Sequence, residues 1–292
     1  MELVQFEILP PPETWSRHKL SKWCAQVAHL LHEHEVHAVN LPEVINESRE
    51  GERGIEFVPK IDNARFAKLL NNRVGGLQPT LYKVCVRIEK NKFEEWMQSI
   101  YSQGVRHLVL VGGERQEEKK KGYSVIDAAR YIKKRYPDMH LGGIAIFTRS
   151  GEAKRIHEKM EAGIDFFVSQ IIFEVTNMKL ALLNLNKLCQ LNHLKMPAIY
   201  ISLALASKIK DIEFMKWLGV EFPTAVFSYL TKECEQEMEN CSLEVVEMLL
   251  DEIFHFREKE KIPLGFNVEH VMYSNLHLSK RLYLNIQERL KA

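Results

Sequence analysis

Short apolar runs alternate about eight times with longer amphipathic segments along the chain. The runs are rich in β-branched and aromatic residues, as buried strands are, and the longer segments repeat their apolar residues at helical spacing. This alternation predicts βαβ units and a parallel sheet. The predicted strands are 4–10, 36–42, 80–86, 106–113, 141–147, 166–173, 198–204 and 263–268, and the predicted helices are 15–34, 61–72, 91–103, 123–136, 150–162, 176–192, 208–218, 242–260 and 270–290.

The number of strand–helix units indicates the fold class. Eight units in a chain of 292 residues predict an α/β fold of the (β/α)8 type, the TIM barrel. The alternative is a doubly wound open sheet, in which a glycine-rich nucleotide-binding turn usually follows the first strand. The first predicted strand instead ends in three prolines, residues 10–12, which are incompatible with that turn. Since no linker divides the chain, we expect residues 1–292 to form a single barrel domain.

The balance of charges argues against several classes of partner. The chain has 40 Lys and Arg residues and 39 Asp and Glu residues, which disfavours nucleic-acid binding and a polybasic membrane anchor. No apolar stretch approaches the roughly 20 residues of a membrane-spanning helix, and the N-terminal residues lack a signal-peptide pattern. Five cysteines without a CxxC pair favour reduced thiols and disfavour structural zinc. We therefore expect a cytoplasmic protein without a metal.

Polar side chains near the C-terminal ends of the predicted strands are candidates for chemistry, because the active sites of such barrels lie at that end. Side chains alternate along a strand, so Glu7 shares a face with Gln5 in the first strand. Gln170 shares a face with Val168 in the sixth strand, and Glu114 follows the fourth strand. These two acids and one amide can therefore face a common mouth of the barrel.

Each candidate also has a purely structural interpretation. Glu7 could pair with a core Arg or Lys, Gln170 could be an amide satisfied inside the core, and Glu114 could lie in a solvated loop. Lys159, near the end of a predicted helix, could act only through the helix dipole. The histidines within 29–37 lie at the end of the barrel opposite the expected site, which argues against a metal centre there.

Five features, in order along the chain, resemble the methylenetetrahydrofolate reductase family. The opening FEILPP resembles that family's Phe-Glu-Phe-Phe-Pro-Pro, and GVRHLVLVGGE resembles its Gly-Ile-x-(His/Asn)-Ile-x-Ala-Leu-Arg-Gly-Asp strand. The strongest match is EKMEAGIDFFVSQIIFE, which resembles Lys-x-Lys-x-Asp-Ala-Gly-Ala-Asp-Phe-x-Ile-Thr-Gln-x-Phe-Phe-Asp. The spacing from Cys85 to Arg106 and the segment GVEFPTAVF also fit the family. Together these features span nearly the whole chain.

The resemblance implies a flavin-bearing (β/α)8 barrel that passes a hydride from NAD(P)H through FAD to 5,10-methylenetetrahydrofolate, giving 5-methyltetrahydrofolate. It implies that Glu7 is the general acid, which protonates the folate so that its iminium form opens. It also implies that Gln170 and Glu114 bind the pterin. The cofactor-binding positions implied by the resemblance are Lys159, as a flavin-phosphate contact, and Asn40, Tyr82, Gly113, Ala145 and Phe147.

Several of these positions carry residues other than the family's own. Residues 82–84 are Tyr-Lys-Val where the family has His-Leu-Thr, and residues 40–42 are Asn-Leu-Pro where it has Thr-Tyr-Gly. Residues 112–114 are Gly-Gly-Glu in place of Arg-Gly-Asp, and residues 145–148 are Ala-Ile-Phe-Thr in place of Ala-Tyr-Pro-Glu. The positions on the folate side are therefore kept better than those on the flavin side.

Two functional hypotheses follow from this uneven resemblance. The first is a folate-reducing enzyme of one-carbon metabolism, with FAD as cofactor and a folate as its small-molecule substrate. The second is a non-catalytic folate-binding protein, or a partner subunit of a one-carbon complex, that has lost tight flavin binding. A homo-oligomer is compatible with either hypothesis. A barrel methyltransferase that accepts methyltetrahydrofolate ranks behind both, because its zinc–thiol versions need cysteines at strand ends and Cys85 alone lies near one.

Overall fold

Eight short strands pair in parallel and in chain order, and the first also pairs with the eighth, so that the sheet closes into a barrel. This closure confirms the (β/α)8 prediction. The computed structural model describes residues 3–47, 49, 51, 53–113, 121–234 and 236–291. The strands are β1 (Val4–Glu7), β2 (Val39–Leu41), β3 (Thr80–Val84), β4 (His107–Val111), β5 (His140–Ala145), β6 (Phe166–Ser169), β7 (Ala198–Leu203) and β8 (Leu264–Val268).

Helices follow each strand and bury one apolar face against the barrel. Ser16, Asp62 and Ser124 each precede a helix and accept a hydrogen bond from the backbone N–H three residues on, which satisfies a free donor of the first turn. None of the described helices is long and apolar enough to cross a membrane. The helices are α1 (Arg17–Glu33), α2 (Asn63–Val74), α3 (Lys90–Ser102), α4 (Val125–Arg135), α5 (Glu152–Glu161), α6 (Thr176–Leu191), α7 (Ile209–Trp217), α8 (Thr224–Ser228), α9 (Met238–Glu260) and α10 (Leu276–Lys291).

The connection between β7 and β8 contains more elements than the sequence pattern predicts. Two helices were predicted there, whereas α8 and a π-helical turn (Tyr229–Glu233) lie between α7 and α9. Each of these additional elements has five residues, which is too short for helical periodicity to be recognised in the sequence. The additional elements lie at the C-terminal end of the barrel, where the candidate site is expected.

The sixth strand is shorter than predicted. β6 ends at Ser169, and Gln170 begins the following loop. The backbone N–H of Gln170 still donates to the carbonyl of Ala145 at 2.8 Å. The next backbone N–H, that of Ile171, instead donates to the side-chain Oε1 of Gln170 at 3.1 Å. The carboxamide of Gln170 thus takes over a donor that a longer strand would have paired within the sheet.

Large and small residues interlock inside the barrel. The rings of Phe166 and Tyr200 point into the interior, where they pack with Val109. A Cβ atom added to Gly142 would lie 2.6 Å from the ring of Phe166, and one added to Gly265 would lie 2.8 Å from the ring of Tyr200. Each ring therefore needs a glycine on a neighbouring strand. This packing fills the interior with apolar side chains and leaves the polar ones at the C-terminal ends of the strands.

The long connection after β2 spans the mouth of the barrel. We call residues 43–60 the strap; residues 48, 50 and 52 within it are not described. Near its start, the carbonyl of Asn46 accepts a hydrogen bond at 2.9 Å from Arg87, which follows β3. Further along, Arg49 donates to the carbonyl of Leu218, just after α7, at 2.8 Å. Because β3 and β7 lie on opposite sides of the closed sheet, the strap bridges the mouth.

Two of the five cysteines are joined. Cys234 and Cys241 form a disulfide with a Cα–Cα distance of 6.2 Å, whereas Cys24, Cys85 and Cys189 are free and buried. This pairing corrects the expectation of reduced thiols throughout. The chain turns back between the π-helical turn and α9, which brings two cysteines seven residues apart within bonding reach. The odd number of cysteines could not exclude such a local pair.

Candidate active site

Polar side chains converge inside the barrel at its C-terminal end. The Nδ2 atom of Asn40, at the centre, donates to Oε1 of Gln5 at 2.8 Å, to the hydroxyl of Tyr82 at 3.2 Å and to Oδ1 of Asn267 at 2.9 Å. Asn40 is fully buried, and its Oδ1 has no hydrogen-bond partner among the described residues. That oxygen offers an acceptor to a bound molecule. We call the whole set the polar ring: Gln5, Glu7, Asn40, Tyr82, Ser202, Asn267 and Glu269.

The polar ring continues across β8, β7 and β6 through hydrogen bonds. The side-chain amide of Asn267 donates to Oγ of Ser202 at 3.0 Å. The hydroxyl of Ser202 also bonds to the carboxyl group of Glu269, and its backbone N–H donates to Oγ of Ser169 at 2.8 Å. These side chains are therefore held by several partners each, which fixes their orientation at the mouth.

Two carboxyl groups lie side by side in the polar ring. Phe6 of β1 pairs with Val268 of β8, so the next residues, Glu7 and Glu269, are neighbours on adjacent strands. Burial, together with the negative charge of Glu269, raises the pKa of Glu7 well above its ordinary value. Burial also raises the pKa of Glu269 to about 7, although its hydrogen bond with Ser202 opposes that effect. Both effects favour the protonated form of Glu7.

The surroundings of Glu7 do not support the interpretation of a core ion pair. The charge that acts on its pKa is that of another carboxylate rather than of a cation. Burial and the two carboxylates also raise the pKa of Tyr82 well above 10, so its hydroxyl stays neutral. A carboxyl group whose protonated form is favoured by burial and by a neighbouring carboxylate can donate that proton to a bound substrate.

Gln170 lies at the same end of the barrel, on the β6 side. Its Nε2 donates to the carbonyl of Leu218 at 3.1 Å, and its Oε1 accepts from the backbone N–H of Ile171. The chain itself thus satisfies both ends of the carboxamide, and a bound pterin is not needed for that purpose. Arg49 of the strap donates to the same carbonyl of Leu218, so Gln170 contributes to the place where the strap is attached.

Lys159 of α5 points back to the barrel rather than into solvent. Its Nζ donates to the carbonyl of Ile144 in β5 at 2.6 Å and lies 4.0 Å from Oε1 of Glu152. Burial lowers the pKa of Lys159, although Glu152 acts in the opposite direction. The ammonium group therefore holds α5 against β5, a role that helix-dipole reasoning did not foresee.

The other positions assigned to a flavin are also engaged by the protein. Asn40 and Tyr82 bond to each other within the polar ring, Ala145 is fully buried, and Phe147 is nearly so. Gly113 is the last described residue of its loop, and Glu114 lies outside the described residues. In this arrangement the described positions do not fit an FAD molecule, so we derive no step through a flavin.

Sequence reasoning overlooked four members of the polar ring as functional candidates. Asn267 and Glu269 share an inward face with Gly265, and this alternation is visible in the segment GFNVE. Ser202 shares a face with Tyr200 in β7 in the same way. The remaining one, Gln5, was noted only as the neighbour of Glu7 on its face. The inward face of every strand, including the eighth, carried the necessary signal.

Comparisons with known proteins bear on the family and the fold of this chain. A family model described as methylenetetrahydrofolate reductase matches residues 62–259, more than half of the chain. No curated protein matches the sequence significantly. A solved structure described as an uncharacterized protein from Clostridium thermocellum that binds two copies of 5-methyl-5,6,7,8-tetrahydrofolic acid has a TM-score of 0.81 at 21% identity, covering 98% of this chain and 95% of that chain.

A second solved structure, described as QR15, an aldolase, has a TM-score of 0.43 at 12% identity and covers 73% of this chain and 86% of that chain. A likeness this weak supports no functional argument. The similarity to the Clostridium thermocellum protein extends over almost the full length of both chains and agrees in fold.

Proposed function

Since this chain belongs to the methylenetetrahydrofolate reductase family, we propose that it binds a reduced folate at the mouth of the barrel and that Glu7 donates a proton to it. The observation that carries the proposal is the state of Glu7. It is a buried carboxyl group whose protonated form is favoured by burial and by the neighbouring charge of Glu269, and it lies among hydrogen-bonding side chains. A pterin has many ring nitrogens and an exocyclic amine, which match such a set of donors and acceptors.

The Clostridium thermocellum structure supports folate as the ligand class. That protein is described as binding 5-methyl-5,6,7,8-tetrahydrofolic acid, and its fold superposes on nearly all of this chain. The unpartnered Oδ1 of Asn40 adds a specific reason from this chain, because a pterin N–H or amino group would satisfy it. The amide of Asn40 thus becomes a proposed contact to the substrate rather than to a flavin.

The proposed reaction follows from the proton on Glu7. Transfer of this proton to a nitrogen of the methylene bridge in 5,10-methylenetetrahydrofolate lets the bond from that nitrogen to the bridge carbon break, and its electron pair stays on the nitrogen. The folate is left as an iminium cation. A hydride from a nicotinamide donor such as NADH or NADPH then gives the methyl group. This chain's part is to hold the proton and to orient the pterin.

A second candidate function is non-catalytic folate binding, alone or as a subunit of a larger complex. The observation that favours it is the engagement of the flavin positions by the chain itself: Lys159 bonds to the carbonyl of Ile144, and Ala145 and Phe147 are buried. Assays of 5,10-methylenetetrahydrofolate reduction with NADH or NADPH, together with absorption spectra with and without added FAD, separate the two candidates. Turnover supports the reductase, with or without flavin uptake, and folate binding without turnover supports the binder.

Replacing Glu7 with Gln is the direct test of the acid. Glu7→Gln keeps the shape and one hydrogen-bonding end of the side chain but removes the proton donor, so we expect reduction of 5,10-methylenetetrahydrofolate to fall by about 10²-fold or more. Binding of 5-methyltetrahydrofolate, measured by calorimetry, should change far less. Glu13→Gln, on the exposed segment after β1, is the matched control and should behave as wild type. Wild-type turnover by Glu7→Gln would refute the assignment of the acid.

A further inference from the structure

We propose that Glu269 is a second functional carboxyl group of this site, and that the two acids divide the work: Glu7 keeps the proton and Glu269 carries the negative charge. The use of the pair in catalysis rests on the proposed folate function. The pairing itself does not, because it follows from the positions of the two side chains in the unliganded protein.

The strand register brings the two carboxyl groups together. β1 and β8 pair in parallel through Val4 with Phe266 and through Phe6 with Val268. Neighbouring strands lie about 4.8 Å apart, and side chains at the same level on one face point in the same direction. The backbone N–H of Glu269 donates to the carbonyl of Leu203 at 2.9 Å, so the ladder continues through this residue. Glu7 and Glu269 are therefore held next to each other at the mouth.

The two environments differ in a way that assigns the roles. Burial raises the pKa of Glu269 to about 7, and its hydrogen bond with the hydroxyl of Ser202 opposes that effect by stabilising the negative charge. Ser202 is itself held by the amide of Asn267. Glu7 is buried beside the charge of Glu269, and both conditions favour its neutral form. These surroundings favour ionisation of Glu269 before that of Glu7.

The other groups that face Glu7 leave this division undisturbed. β2 contributes Asn40 and β7 contributes Ser202, which are both neutral. β3 contributes Tyr82, whose hydroxyl is kept neutral by burial. Among the described residues, the charge that shifts Glu7 comes from Glu269. The cations of the strap contact other elements, as with Arg49 at Leu218.

The division of roles suits the proposed reaction. When Glu7 gives its proton to the folate, the opened form carries a positive charge on its iminium group. The carboxylate of Glu269 next to it would stabilise that cation, and it is already oriented by Ser202 before the substrate binds. The transferred proton and the developing charge would thus each have a separate carboxyl partner.

Titration of the carboxyl groups in the unliganded protein tests the pair. Glutamate labelled with ¹³C at its side-chain carboxyl gives one NMR signal per residue, and Glu7→Gln and Glu269→Gln identify the two signals. In the wild type, Glu269 should ionise before Glu7. In Glu269→Gln, the midpoint of Glu7 should move to lower pH by about one unit or more, because the neighbouring charge is gone. Glu269→Asp, which keeps the charge, should restore most of that shift, and Glu13→Gln should leave both midpoints unchanged.

The outcomes separate the pair from the folate function. Wild-type titration of Glu7 in Glu269→Gln, or ionisation of Glu7 before Glu269 in the wild type, would overturn the proposal. The second criterion still applies if Glu269→Gln fails to fold. If the titration midpoints of Glu7 and Glu269 are coupled but the protein does not bind 5-methyltetrahydrofolate, the pairing of the two acids is supported and the folate function is refuted. If the folate function is correct, the pH profile of folate reduction should shift in Glu269→Gln by the same amount as the midpoint of Glu7.

Discussion

Asn40 shows how much one residue can fix in a buried polar site. Its side-chain nitrogen donates to three side chains that come from β1, β3 and β8. Three strands of a closed barrel are thus joined through one amide at the level of Glu7. A carboxamide in the middle of a three-residue strand is therefore the point where the polar ring is held in register.

The stability of the protein should depend strongly on Asn40. Asn40→Ala removes an amide whose two N–H groups are shared among three buried acceptors, so we expect the free energy of unfolding to fall by about 1–3 kcal/mol, as for other buried groups left unsatisfied. Urea unfolding followed by circular dichroism measures this change. Asn192→Ala removes an amide that bonds to a carbonyl on the exposed end of α6 and serves as the control. An equal loss in both variants would contradict the role given to Asn40.

The alternation of residues predicted which face of a strand a side chain occupies, but it did not predict which groups that side chain bonds to. Alternation along a strand placed Glu7 on an inward face, and the structure has it in the polar ring. Gln170 was identified from the same pattern, but its carboxamide bonds to the carbonyl of Leu218, 48 residues away. No local pattern encodes such a contact. Glu269 was overlooked because a single acid after a short strand stands out only once its neighbour on β1 is known.

At the scale of elements, the strap determines access to the site. Its attachment on the β7 side combines a hydrogen bond from Arg49 with stacking of Arg53, whose guanidinium lies 4.7 Å from the ring of Trp217 and 5.8 Å from that of Phe214 in α7. Such contacts between a cation and an aromatic face are each worth roughly 0.5–2 kcal/mol. They hold the strap closed without the burial of a large apolar core, so the strap can open while the barrel stays folded.

Loosening the strap should change its local opening and little else. Arg53→Ala removes the stacking on Trp217, so we expect limited proteolysis within residues 43–60 to become several-fold faster. The urea midpoint of the whole chain should stay close to that of the wild type. Mass spectrometry of the fragments locates the cuts, and Arg65→Ala, on an exposed face of α2, is the control. Unchanged cleavage of Arg53→Ala would argue against the attachment described here.

Elements were predicted more reliably than their ends and their connections. Each of the eight strands and nine of the helices follows from hydrophobic spacing, because every one buries an apolar face against the barrel. The strap, α8 and the disulfide-bonded turn were not predictable in this way. The strap is held by cation–aromatic stacking and by hydrogen bonds to backbone carbonyls of residues distant in the sequence. Helix α8 and the disulfide-bonded turn contain too few residues to show a periodic pattern.

At the scale of the whole molecule, two buried groups should have opposite effects on stability as pH changes. Unfolded Glu ionises above its ordinary value of 4.5, whereas folded Glu269 keeps its proton up to about 7. The folded state therefore binds more protons in that range, and its stability falls as pH rises. His270 is held neutral by burial, with its pKa lowered from 6.5 to about 4. The unfolded state then binds more protons, so this contribution to stability rises with pH from about 4 to 6.5.

Variants should separate the two contributions. Relative to wild type, the free energy of unfolding of Glu269→Gln should increase by about 3 kcal/mol as pH rises from 4.5 to 7, since each pKa unit corresponds to about 1.4 kcal/mol. His270→Asn keeps an acceptor for the backbone N–H of Leu9, which bonds to Nδ1 of His270. The free energy of unfolding of this variant should increase by a similar amount relative to wild type as pH falls from 6.5 to 4. Urea midpoints measured across this range test both, and parallel pH profiles for all three proteins would contradict the assignment.

The two anchorages of the strap have a consequence for kinetics. Residues 43–60 are tied both beside β3 and at the end of α7, on opposite sides of the mouth. A ligand bound beneath them would leave only after one anchorage has detached, so the opening rate of the strap would set an upper limit on the dissociation rate of that ligand. Association would be gated in the same way, and its observed rate would level off at high ligand concentration instead of rising in proportion.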